Sequence, residues 1–142
     1  MKKNILGVTL ARGGSKGIKN KNLVKINGKP LIYYTIKEAK KSKKITNYIV
    51  STDNVKIKKV AQNYKANVPF IRPKKLSGDK SSSASALKHA LLKCEKIFNK
   101  KFHYVIELMA TNPLKKSNDI DNVIKILLKN NADSVIAVNQ LF

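Results

Sequence analysis

The sequence predicts an α/β fold, a three-layer sandwich in which a mainly parallel sheet lies between helices. Three observations carry that prediction. Short apolar runs alternate with amphipathic stretches of helical period along the 142 residues, and this alternation implies parallel strands joined by right-handed helical crossovers. The runs are apolar throughout rather than at every second residue, as strands covered on both faces are. Polar loops follow the strands at residues 12–22, 51–54, 72–83 and 111–115, so they share the rim where sheets of this kind bind ligands.

The elements follow in order. Residues 5–10 form an apolar first strand leading into a glycine-rich loop. Residues 23–26 are a short extended piece ending at Asn27-Gly28, a strong turn signal. Pro30 suits the first position of a helix that continues over 31–41 with Ile32, Ile36 and Ala39 on one face. Residues 48–51 form a second strand. Asn54 can cap the next helix, in which Ile57, Val60, Ala61 and Tyr64 recur at helical spacing. A third strand is expected at 67–71. The following loop runs into Ser81, Ser82 and Ser83, whose hydroxyls can cap a helix with Ala84, Leu87, Leu91, Cys94 and Phe98 toward the sheet. Residues 103–109 form a fourth strand. Ser117 or Asn118 caps a helix burying Ile120, Val123, Ile124, Leu127 and Leu128, with Asp119 and Asp121 serving its N-terminus and dipole. A fifth strand is expected at 133–138.

Composition bounds the function. The length suits one domain, residues 1–142, and no apolar stretch approaches the ~20 residues of a membrane span. Residues 1–4 lead directly into the first strand, so no cleavable signal peptide is expected. The single cysteine, Cys94, lies on a helical apolar stripe and reads as packing; a cytoplasmic location is expected. The net charge is +22, yet the lysines are dispersed over every helix and loop, and only 6% of residues are aromatic. The charge therefore reads as solvated faces that speed capture of anionic substrates, with no nucleic-acid partner expected. A lysine-rich nucleotide- or RNA-binding module without catalysis is the competing class. His89 and His103 have no metal-ligand partners at suitable spacing.

The loop at 10–22 carries the chemistry. Gly13, Gly14 and Gly17 allow sharp turns and a close backbone approach to a ligand, while Arg12, Lys16, Lys19 and Lys21 concentrate positive charge. That combination at the exit of a first strand suits a nucleotide triphosphate. It is neither a Walker A loop nor a dinucleotide fingerprint. Of 30 cationic residues only Arg12 and Arg72 are arginine. The planar arginine fork binds phosphate or a base edge in a way an ammonium cannot copy, so both are expected to contact ligand. Asp53, at a strand exit, fits two roles, positioning a nucleotide or metal and stabilising a turn. Asp79 is expected to order the serine loop.

With these loops in place the chain resembles the CMP-N-acylneuraminate (CMP-sialic acid) synthetase family of cytidylyltransferases. The residues carrying the resemblance are the loop from Leu10 to Asn22, Ser51-Thr52-Asp53, Arg72-Pro73 with Asp79 and Ser81 to Ser83, and Thr111-Asn112-Pro113-Leu114. The resemblance implies a Rossmann-like nucleotide-diphospho-sugar transferase (GT-A-like) fold and an enzyme that joins CTP to an acidic nine-carbon sugar with Mg2+, releasing pyrophosphate. The related synthetase for the eight-carbon sugar Kdo is the nearest competitor. The resemblance implies nucleotide binding by Leu10, Ala11, Arg12, Gly13, Gly14, Ser15, Lys16, Lys21 and Asn22, with Arg12 and Lys21 in the catalytic role and Lys21 near the α-phosphate. It places Arg72 and Ser83 at the base or ribose end, and Thr111 and Asn112 toward the sugar.

Three departures from the family pattern matter. Met109-Ala110-Thr111-Asn112-Pro113-Leu114-Lys115 stands where sialic acid synthetases usually have Gln-Pro-Thr-Ser-Pro-Leu-Arg, and methionine cannot supply glutamine's hydrogen bonds. The acceptor is therefore expected to extend to legionaminic or pseudaminic acid. The family's metal-binding aspartates lie in a later segment, expected beyond Phe142. That segment also carries the dimerisation element, so a C-terminally truncated chain and a homodimer at full length are expected.

Overall fold

The computed structural model describes residues 2–138. In chain order the regular elements are β1 (Ile5–Leu10), β2 (Lys25–Ile26), β3 (Lys29–Pro30), α1 (Leu31–Lys41), β4 (Asn47–Ser51), α2 (Val55–Asn63), α3 (Ser83–Phe98), β5 (Tyr104–Glu107) and α4 (Ser117–Lys129). β1 is central: β4 pairs with it on one side and β5 on the other, both parallel. The connections leave β1 for opposite edges, so the switch point of the sheet lies at the C-terminal end of β1, where a crevice opens.

Side-chain direction splits the core into layers. Leu6 and Val8 of β1 and Ile49 of β4 pack with Ala90 and Cys94 of α3 on one face. On the other, Val50 meets Ile32 and Ile36 of α1 and Ile57 and Ala61 of α2, and Ile5 meets Ile120 and Ile124 of α4. Helices therefore cover both faces, α3 alone on one. Ile36 is almost wholly buried, and truncating such a side chain to alanine typically costs ~2–5 kcal/mol. Burial also pushes the Cys94 thiol up to about 11, consistent with packing rather than reactivity.

Local signals account for most boundaries. Asn27 and Gly28 both take positive φ, 49° and 76°, the geometry that a two-residue hairpin between β2 and β3 requires. Asn54 caps α2, its Oδ1 accepting from the amides of Lys56 and Ile57. Ser82 caps α3, its Oγ accepting from the amide of Ser85.

Several expectations shift. Pro30 precedes α1 as its cap rather than opening it. α4 begins at Ser117 with Lys116 as cap residue, and Asp119 accepts from the Lys116 amide as the helix-end reading expects. Asp121 instead turns away from its own helix and accepts from the amides of Lys43 and Lys44, tying α4 to the turn after α1. The buried line of α3 is Ala86, Ala90 and Cys94, with Ala84 exposed. The small alanines let the helix lie close to β1.

Two expected strands do not form as such. Residues 67–71 touch β4 only through the isolated bridges Ile49–Asn67 and Thr52–Ile71, because Pro69 has no amide to donate in a continuous ladder. Residues 133–138 carry no strand, and Ile136 and Val138 are 81% and 84% exposed. Val135, Ile136 and Val138 give β propensity, but a strand also needs a ladder partner. The remaining residues, 139–142, lie outside the described part. No helix among the described residues is long and apolar enough to cross a membrane.

Candidate active site

The crevice above β1 is an open cavity of about 450 Å³. The loop that leaves β1 forms one wall, the segment from Arg72 to the first turn of α3 a second, and the end of β5 a third.

The β1 loop is held by its backbone. The amide of Ala11 donates to the Ser51 carbonyl at 2.9 Å, and that of Gly13 donates to Asp53 Oδ1 at 2.9 Å. Asn22, buried, donates from Nδ2 to the Arg12 carbonyl at 3.3 Å. Only glycine fits at position 13: a Cβ there would lie 2.6 Å from Asn54 Nδ2. By contrast, a Cβ at Gly14 or Gly17 meets nothing within 4 Å, so neither glycine relieves a clash, and of the two only Gly17 lines the cavity. Of the two roles read for Asp53, the structure shows it bonded to the loop.

Fixing the backbone leaves the cations outward. Arg12, Ser15, Lys16 and Lys21 all line the cavity. Arg12 Nη1 pairs with Asp79 Oδ1 at 2.9 Å, and Lys16 Nζ approaches Asp79 Oδ2 at 3.4 Å. Asp79 therefore binds the β1 loop rather than the serines, and the Arg12 guanidinium holds its carboxyl below the usual carboxylate range.

On the second wall Arg72 is 3% exposed. Its amide donates to the Thr52 carbonyl, continuing the edge of β4, and its Nε donates to Ser77 Oγ at 3.0 Å. Ser77 accepts that bond and donates to the Pro73 carbonyl. Burial pulls the guanidinium's pKa down, opposed by the charge of Asp53. Ser82 and Ser83 bring the N-terminus of α3 to the same cavity, where the helix dipole favours an anion.

The third wall is the turn after β5. Thr111 lines the cavity and Asn112 does not. Lys115 closes this turn on itself: its Nζ donates to Thr35 Oγ1 at 2.7 Å, to the Met109 carbonyl at 2.6 Å and to the Asn112 carbonyl at 2.5 Å. Burial pushes its pKa down to about 8.

Of the expected nucleotide contacts, Leu10, Arg12, Ser15, Lys16, Lys21, Asn22, Arg72 and Ser83 thus meet in one cavity. Ala11 is fully buried in the core between β4, α1 and α2 and does not line it. Gly13 and Gly14 do not line it either, and the Gly13 amide is taken by Asp53. Sequence reasoning missed Ser77 and Glu107. Ser77 carries no signal beyond its place after an arginine-proline pair. Glu107 had one: it is an acid inside the apolar run 104–108.

A parallel α/β sheet whose switch-point crevice joins a cation-bearing strand-exit loop to a helix N-terminus is an arrangement suited to an anionic ligand. The family model described as cytidylyltransferase matches residues 6–142, and the chain belongs to that family. It is 39% identical over 132 residues to the post-translational flagellin modification protein B of Campylobacter coli, covering 93% of this chain and 56% of that protein. It is 42% identical over 109 residues to a CMP-N,N'-diacetyllegionaminic acid synthase of Campylobacter jejuni, covering 77% and 46%. The fold resembles a CMP:2-keto-3-deoxy-manno-octonic acid synthetase solved with CTP, at a TM-score of 0.78 and 21% identity, over 92% of this chain and 49% of that one. The chain spans about half the length of the curated relatives it matches.

Proposed function

We propose that the chain forms the nucleotide-binding part of an enzyme that joins CTP to an acidic nine-carbon sugar of the legionaminic, pseudaminic or sialic type, releasing pyrophosphate. One observation carries this reading: Arg12, Lys16 and Lys21 converge on a crevice whose backbone is pinned, opposite Arg72 and the start of α3. Membership of the cytidylyltransferase family and the likeness to a CMP-N,N'-diacetyllegionaminic acid synthase support it.

In this reaction a hydroxyl of the sugar attacks the α-phosphorus, the bond from that phosphorus to the bridging oxygen breaks, and pyrophosphate leaves. Negative charge grows on the non-bridging oxygens and on the leaving group. Cations held in place beforehand offset it without reorganising. Arg12 and Lys21 serve the triphosphate, Lys21 nearer the α-phosphate, and Arg72 with Ser83 serves the nucleoside end. Asp79 holds Arg12 and Lys16 until phosphate oxygens take its place.

We also propose Mg2+ as the partner of the triphosphate, where it would add positive charge. No group of three or more His, Cys, Asp or Glu among the described residues could hold a metal ion, so every step above is assigned to the chain's own cations.

Calorimetric titration with CTP tests the reading. Arg12→Ala is expected to weaken CTP binding about 10- to 100-fold, as loss of a charge-assisted contact does, with an unchanged circular dichroism spectrum. Unaltered affinity would overturn it, as would RNA binding that survives Arg12→Ala in the absence of CTP binding. With the full-length gene product, pyrophosphate release in the presence of each acidic nine-carbon sugar tests the acceptor; release only with the eight-carbon sugar would move the assignment to the Kdo type.

A further inference from the structure

Two carboxylates line the cavity, and the protein uses only one of them. Asp79 is paired with Arg12 and Lys16. Glu107 takes part in none of the ion pairs among the described residues. Burial alone pushes its carboxyl up from the usual range, with no cation or hydrogen bond opposing.

Its place in the sheet is well defined. Glu107 is the last residue of β5 and stands in register with Val8 of β1. Neighbours across a parallel ladder share a face, and Val8 packs with Ala90 and Cys94 of α3. Glu107 therefore rises beneath the first turns of α3, where Ser83 and Ala86 line the same cavity. An acid in such a setting is costly unless a donor meets it. Leucine or valine would serve the strand better, so a donor from the ligand is the natural complement.

The surroundings select the donor. A triphosphate would be repelled by a carboxylate and already has the β1 loop. A lone carboxylate without further acidic partners makes a poor cage for a divalent ion. Glu107 lies on the strand beside β1, on the side away from β4 and Arg72. It is thus next to the phosphate loop and under the α3 end of the wall assigned to the nucleoside, on the far side of β1 from Arg72. The part of a nucleotide next to its α-phosphate is the sugar. We propose that Glu107 reads the ribose of the bound nucleotide, its carboxylate accepting from a ribose hydroxyl. This rests on the nucleotide-binding reading above.

The test compares CTP, 2′-deoxy-CTP, 3′-deoxy-CTP and UTP by calorimetry in the wild-type chain and in Glu107→Leu and Glu107→Gln. Leucine suits a half-buried strand position, so the fold is expected to persist, checked by thermal melting. The wild type is expected to prefer CTP over one of the deoxy forms by at least about tenfold. Glu107→Leu should bring that ratio near one, with Glu107→Gln, which keeps an acceptor, between the two. An unchanged ratio in Glu107→Leu, or none in the wild type, overturns the proposal. So does a variant that loses preference for CTP over UTP while keeping its preference for ribose, which would assign the carboxylate to the base amine. Absence of CTP binding by the wild type would instead overturn the nucleotide-binding reading itself.

Discussion

The loops that leave β1 and β5 stand side by side above neighbouring strands, and each carries cations, but they spend them differently. The β1 loop is held by groups other than its own cations: Asp53 takes the Gly13 amide, Asn22 reaches the Arg12 carbonyl, and the Ser51 carbonyl takes the Ala11 amide. Its cationic side chains remain at the cavity surface. The β5 turn does the reverse, because Lys115 gives its three protons to Thr35 and to two carbonyls of the turn. One loop therefore presents charge to a ligand, while the other consumes a charge to hold its shape. Lysine count alone does not distinguish a binding loop from a braced one.

The comparison can be broken most severely at Arg12, where alanine should cost nucleotide affinity by the one to two orders of magnitude given above and leave stability nearly unchanged. Lys115→Met should do the opposite, lowering stability by about 1–3 kcal/mol because the buried Thr35 hydroxyl and two carbonyls of the turn lose their shared donor, with CTP affinity within about twofold of wild type. Chemical denaturation and calorimetry on the same samples separate the two. Equal losses of affinity in both variants would erase the distinction.

Gly13→Ala probes the brace of the first loop. Its Cβ would press on Asn54, which also caps α2, so the loop and the helix start must shift together. A loss of about 1–3 kcal/mol is expected, accompanied by weaker CTP binding. The same change at Gly14, where space is open, should cost less than a third of that.

Two smaller effects depend on protonation. Lys115 titrates near 8 in the folded chain, below the ~10.4 of an unfolded lysine. Between those values the unfolded chain binds the extra proton, so this group's contribution to stability rises with pH across that window. Denaturation midpoints for wild type and Lys115→Met should therefore diverge as pH climbs from 8 toward 10, the wild type gaining. Asp79, held low by Arg12, has the same sign in an acid window: its contribution is present at neutral pH and is lost as pH falls through its depressed value. Being half-exposed, it should matter little to the melting temperature. Asp79→Asn should instead tighten CTP binding roughly two- to fivefold, since a negative charge beside the triphosphate is gone.

The alternation of apolar runs and amphipathic stretches determined the layer order, and with it the rim on which the polar loops meet. Asn54, Asn27 and Gly28 announced their cap and turn because those conformations depend on side chains a few residues away. Periodicity misjudged residues 133–138, since a strand requires a partner that no local pattern names. On α3 it placed Leu87, Leu91, Cys94 and Phe98 correctly against the sheet and erred at Ala84, while Ala86 and Ala90 took the deepest places because the close approach of β1 favours small side chains.

Residue order alone determined the chemistry of the β1 loop, the rarity of arginine and the family resemblance, because each is a property of residue identity and local spacing. Only the tertiary structure decided which charges are free. Asp79 meets Arg12 across 67 positions of sequence, Lys115 reaches Thr35 across 80, and Glu107 is left facing the cavity. Electrostatic pairing depends on distances of a few ångströms in space, and those are set by how the layers pack.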